Sequence, residues 1–126
     1  MDIWKVTLVN EERLTVRIVV DDLQKKAGRS ASALLDTNPD QPGAEFQIGS
    51  GLYDSDWQIF KVGGNEPLNC PIEQGLNYQS DVIRWTTGPK CLGKYSKVRV
   101  RVATQSGGNK DYSPGPKSMH PWVARF

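Results

Sequence analysis

The run Lys97-Val98-Arg99-Val100-Arg101-Val102 narrows the fold of this chain more than any other stretch. A period of two puts Val98, Val100 and Val102 on one face of a β-strand and Lys97, Arg99 and Arg101 on the other. A strand patterned this way is half-buried, its apolar face against a second layer and its polar face toward water, as in antiparallel two-layer β proteins. Just upstream lie both cysteines, Cys70 and Cys91, a strand ending at Trp85 and a Gly88-Pro89 turn.

The alternation recurs at the other end of the chain. Residues 2–9 read as a first strand with Trp4, Val6 and Leu8 on one face, and Asn10-Glu11-Glu12 as a turn. Residues 13–20 follow as a second strand with Leu14, Val16, Ile18 and Val20 pointing one way, so the two form a hairpin. Residues 21–29 are polar and hold at most a short helical turn. Residues 30–36 read as a third strand, and 44–48 as a fourth, broken by Gly49-Ser50-Gly51. Residues 56–62 are partly apolar on both faces and read as a central fifth strand. Residues 78–85 read as the sixth and 97–104 as the seventh. Residues 107–126 are loop-like and close on Pro121-Trp122-Val123, with Trp122 placed to dock the tail. The chain of 126 residues suits one domain spanning 1–126, and its 12 glycines and 8 prolines fall between short apolar runs. Seven or eight short strands separated by such turns make an all-β fold, an antiparallel β-sandwich of jelly-roll type.

A formal net charge of +2 gives no electrostatic case for nucleic acid. No apolar run approaches the ~20 residues needed to insert across a bilayer. Neither cysteine sits in a C-x-x-C or Cys/His cluster, which argues against thiolate metal sites and thioredoxin-like chemistry. The favoured reading is a disulfide in an oxidising compartment, worth roughly 3 kcal/mol in the chain-entropy model; the other is two reduced, buried thiols. Because Asp2-Ile3-Trp4 already reads as strand, the expectation is a mature, exported form carrying an added initiator Met.

Three constellations could carry function. In the turn-rich loop 36–43, Asp36, Asn38 and Asp40 alternate like the first half of a calcium loop, and Glu45 follows; calcium takes several oxygen ligands in flexible geometry. Gln41 stands where the turn glycine belongs, Pro42 stiffens the loop and Gln47 replaces the closing glutamate, so the alternative is an ordinary Asx/Pro turn. Second, the chain is rich in aromatics, Tyr53, Trp57, Tyr78, Trp85, Tyr95, Tyr112 and Trp122, whose rings could stack on a sugar; Tyr53, Asp54, Asp56 and Trp57 lie beside a glycine-rich turn, where the carboxylates could bond its hydroxyls. The alternative for the tryptophans Trp4, Trp57, Trp85 and Trp122 is core or tail docking. Third, the stripe Lys97, Arg99, Arg101 could meet Arg13 and Arg17 on a neighbouring strand; a solvated sheet face is the favoured reading over a polyanion site. Catalysis finds little support: the one histidine, His120, lies in the Pro-flanked tail, Gly49-Ser50-Gly51 lacks nucleophile-elbow spacing, and Asp54 with Asp56 on one loop cannot readily straddle a glycosidic bond.

Taken in order, several short motifs carry a resemblance: Val20-Asp21-Asp22-Leu23, Leu35 to Pro39, Gly43 to Phe46, Asp56-Trp57-Gln58-Ile59, Cys70-Pro71, Cys91-Leu92-Gly93, the 97–102 strand and Pro121 to Arg125. Across nearly its whole length the chain resembles a family of small secreted actinobacterial proteins, and its shape is similar to carbohydrate-binding sandwiches of the CBM9 and DOMON type. The resemblance implies export and a Cys70–Cys91 disulfide, and no activity. The expected function is a secreted, monomeric, non-catalytic module binding carbohydrate or a cell-surface protein, with calcium as the one candidate cofactor. The alternative is a protease inhibitor or effector working through its loops.

Overall fold

The structure, a computed structural model, describes residues 1–52 and 56–125. The described residues form β1 (Ile3–Asn10), β2 (Leu14–Val20), β3 (Arg29–Asp36), β4 (Phe46–Gly51), β5 (Asp56–Lys61), β6 (Glu73–Asn77), β7 (Val82–Thr87), one helical turn α1 (Pro89–Leu92), β8 (Lys97–Ser106), β9 (Asn109–Ser113) and β10 (Val123–Ala124). The smaller sheet runs β1-β2-β7-β6 and the larger β10-β8-β3-β4-β5, with β9 also pairing the outer edge of β8. Every pairing is antiparallel.

The period-two patterns decide which faces meet. Leu14, Val16, Ile18 and Val20 of β2 are fully buried, as are Ile83 and Trp85 of β7, on the inner face of the smaller sheet. Opposite them stand Val98, Val100 and Val102 of β8, Leu35 of β3, Ile48 of β4 and Ile59 of β5. Fully burying one such side chain stabilises by about 1.5–3 kcal/mol, so these positions hold the two sheets together. The disulfide joins Cys70, before β6, to Cys91 in α1, with Cα atoms 5.3 Å apart. It staples both flanks of the β6–β7 hairpin at one end of the sandwich.

Several strands differ from expectation. The β1–β2 register slips between Ile3 and Lys5, leaving Trp4 as the extra residue of a bulge. Ile3, Val6 and Leu8 therefore face inward while Trp4 is 71% exposed, rather than sharing a face with Val6 and Leu8. β4 runs on through Gly49 and Ser50, because β3 and β5 bond it on both sides. β5 is an edge strand rather than a central one. The segment expected as one strand over 78–85 is a turn followed by β7. Asn77 Oδ1 accepts the amides of Gln79 and Ser80, both at 3.0 Å, and Asp81 takes a positive φ of 60°. The tail is not all loop, since β9 and β10 both lie on the β8 edge.

Candidate functional site

The loop between β3 and β4 holds the four expected calcium ligands, and three of them are engaged by the protein itself. Asp36, 1% exposed, accepts at Oδ2 from Arg99 Nε (2.9 Å) and Nη2 (2.8 Å), and its Oδ1 accepts the amide of Asn38 at 3.2 Å. Glu45 Oε1 accepts the amides of Thr37 (2.7 Å) and Asn38 (3.0 Å), and Asn38 Oδ1 accepts that of Asp40 at 3.0 Å. Asp40 is exposed. No cluster of three or more His, Cys, Asp or Glu side chains able to hold a metal ion occurs among the described residues.

The expected sugar site is divided by strand geometry. Trp57 pairs with the buried Ser50 on the inner side of β5, and its Nε1 donates to the carbonyl of Ile72 at 2.9 Å. Asp56, one residue earlier, stands on the opposite face and is exposed. Tyr53 and Asp54 lie outside the described residues. The structure thus does not bring Asp56 and Trp57 together.

The basic stripe is covered in part by the tail. The ring of Trp122 lies 5.0 Å from Lys97 Nζ and 4.6 Å from the Arg99 guanidinium, each contact worth about 0.5–1 kcal/mol at a surface. Val123 and Ala124 pair with Val98 and Lys97, and the buried Asn10 donates through Nδ2 to the carbonyl of Val123 at 2.8 Å, tying the tail to the smaller sheet. Arg13 and Arg17 do not join this stripe, because β2 belongs to the other sheet. Arg101, the third residue of the stripe, has no ring contact with Trp122.

Arg101 borders a groove of about 280 Å³ along the outer face of the larger sheet. Its centre is a row of small residues, with Ala103 opposite Ser32 on β3 and Ser32 opposite Gly49 on β4. Longer side chains rise around this row: Tyr112 beside Ala103, Lys110 beside Gln105, and Arg101 and Gln47 on either side of Leu34. From the Arg101 row to the Gln105 row is four residues, or ~14 Å of strand. Gln105 donates to the carbonyl of Gly107 at 3.2 Å. The side chains of Arg101, Gln47, Tyr112, Lys110, Ser30 and Ser32 make no hydrogen bond or ion pair among the described residues. They form a trough of available donors and acceptors with one aromatic ring, on strands β9, β8, β3 and β4.

Lys110 was missed in the sequence, and Tyr112, one of the candidate stacking aromatics, was not placed on a strand, because Asn109–Ser113 is short and polar. The available signal was Gly107-Gly108, a two-residue loop between β8 and β9 in which Gly107 has a φ of 61°. Positive φ in such a loop is the hairpin preference for Gly-Gly.

One contact resembles catalytic machinery. His120 Nε2 lies 2.9 Å from Ser113 Oγ, and burial lowers the imidazole's pKa below its ordinary 6.5, favouring the neutral base. No carboxylate bonds this histidine among the described residues, and neither residue lines the groove. A serine–histidine pair with no orienting carboxylate among the described residues is incomplete as a nucleophile. No known family model and no curated protein sequence matches this chain.

Proposed function

We propose that this protein is a secreted, non-catalytic binding module that takes a carbohydrate in the outer-face groove of the larger sheet. The observation that carries this reading is the coincidence of the Tyr112 ring with the unpartnered Arg101, Gln47, Lys110, Ser30 and Ser32 around one trough. A sugar presents a flat apolar face for stacking and a rim of hydroxyls for hydrogen bonds, and this lining offers both. The disulfide supports export, since such bonds persist in oxidising compartments. A soluble glycan panel, read by calorimetry, tests the reading. At least one glycan should bind, and Tyr112→Ala should weaken it about tenfold, the ~1.4 kcal/mol expected of a stacked ring. Absence of binding across the panel, or binding indifferent to both Tyr112→Ala and Arg101→Gln, would sink it.

A second reading, recognition of a protein partner, draws on Trp4. An indole 71% exposed on the bulged edge strand β1, with Val9 41% exposed on the same strand, is the kind of anchor interfaces use. Trp4→Ser should abolish partner capture while leaving glycan binding untouched.

A further inference from the structure

The opposite outer face holds an arrangement that the groove does not explain. Arg17 of β2 and Arg84 of β7 stand directly opposite one another in the register, and both are exposed. Like charges placed so destabilise a sheet. The next residue in the same row is Gly75 of β6. A Cβ there would sit 2.9 Å from Arg84 Nη2 and 3.4 Å from its Cζ, so the guanidinium lies against the β6 backbone and a side chain at this position would push it aside.

The other arginines place this pair in context. Arg13 pairs with Glu73 and Arg99 with Asp36; Arg29 donates to the carbonyl of Asp22, and Arg125 to those of Glu11 and Glu12. Arg17, Arg84 and Arg101 have no such partner among the described residues, and the first two share one groove of about 330 Å³. Asn77 and Ser80 also border it, and no acidic residue lines it. The Asn77 carbonyl oxygen is taken by two amides, while its Nδ2 and the Ser80 hydroxyl make no bond among the described residues and can donate.

We propose that Arg17, Arg84, Asn77 and Ser80 form a binding site for a tetrahedral oxyanion, the sulfate or phosphate ester group of a small ligand. Two guanidinium forks supply charge-assisted bonds to such a group, and its negative charge removes the repulsion between them. Gly75 is then the residue that seats Arg84 for the task. The site lies across the sandwich from the sugar groove and stands independently of it.

The test is an amide NMR titration of the whole protein with inorganic phosphate, against chloride at matched ionic strength. Saturable shifts should appear at Gly75, Asn77 and Ser80. Arg17→Gln and Arg84→Gln should each weaken binding by about tenfold or more, the loss of one charged hydrogen-bonding group. Neither variant should melt below the parent without phosphate, because each relieves the repulsion. Gly75→Ala keeps both charges and should also weaken binding, which simple attraction to a basic face would not predict. Absence of saturable shifts, or shifts retained in both arginine variants, would overturn the proposal. A sulfated monosaccharide and vesicles containing phosphatidic acid serve as separate arms. Binding lost in Arg84→Gln assigns the group to a soluble ester in the first arm and to a lipid headgroup in the second.

Discussion

The two outer faces of the sandwich begin from one sequence pattern and end differently. Val16-Arg17-Ile18, Ile83-Arg84-Trp85 and Val98-Arg99-Val100 each put an arginine outside and buried apolar residues inside. On the larger sheet Arg99 meets the buried Asp36 and lies under Trp122. On the smaller sheet nothing covers Arg17 and Arg84 among the described residues, and they face each other. Period-two patterning sets which side chains leave the core, but the segment that returns over each face decides whether they become structure or remain available for a ligand.

The largest effect that can break this comparison comes from removing one arginine on each side. Arg99→Met strands the Asp36 carboxylate in a site where it is 1% exposed. Breaking a buried pair from one side costs about 3–5 kcal/mol, and the low end applies here because the Arg99 side chain is itself 34% exposed. Arg84→Met should change stability by less than ~0.5 kcal/mol, or raise it slightly by removing repulsion. Urea unfolding midpoints of the two variants decide the matter. Equal losses would mean that both arginines are structural and the faces do not differ.

How far the sequence foretold these faces depends on how local each cause is. The inner faces of β2 and β8 were legible because four and three apolar residues at strict alternation admit one strand orientation, and with two cysteines only one intramolecular pairing exists. β6 was not legible. Glu73-Gln74-Gly75-Leu76-Asn77 has little apolar character of its own, and its inner positions are Leu76, beside Ile83, and Gln74, whose Oε1 accepts the buried Trp85 indole N–H at 2.8 Å. The Trp4 bulge was equally hidden. It is fixed by contacts about a hundred residues away in sequence, from Asp111 Oδ2 to the amide of Ile3 at 2.7 Å and from Thr104 Oγ1 to the carbonyl of Met1 at 2.7 Å. Tyr112 and Lys110 became neighbours of Arg101 and Gln47 only through the β9–β8–β3–β4 order, so the groove is a property of topology rather than of any motif.

A smaller effect concerns the tail alone. His120 donates its backbone N–H to the carbonyl of Val100 at 2.8 Å, and burial lowers its pKa below 6.5. The unfolded chain then binds a proton at higher pH than the folded one does. The stability held above the unfolded pKa is lost as pH falls from about 6.5 through the lower folded value. Most carboxylates titrate below this window and the chain has one histidine, so the window isolates the tail. The melting temperature should decline between about pH 7 and pH 5, and His120→Gln should flatten that decline. An identical slope in parent and variant would show that the tail does not exclude water from the ring.

The smallest expected effect is none, and it sharpens what the covered face does with its acids. For calcium to bind in the β3–β4 loop, Asp36 would have to leave Arg99, and Glu45 would have to release the amides of Thr37 and Asn38. Each charge-assisted bond is worth about 1.5–3 kcal/mol, and the stranded guanidinium and amides would add their own desolvation cost. A ligand stabilises through linkage only where its concentration exceeds its observed dissociation constant, and every bond the loop must break raises that constant. That cost is taken out of the ion's affinity, so millimolar calcium leaves the loop unoccupied and the melting temperature should be the same in millimolar calcium and in EDTA. A rise with calcium, reversed by EDTA and abolished by Asp36→Ala, would mean that the Asp36–Arg99 pair yields to an ion. In that case the loop would join the sheet faces as a candidate ligand site.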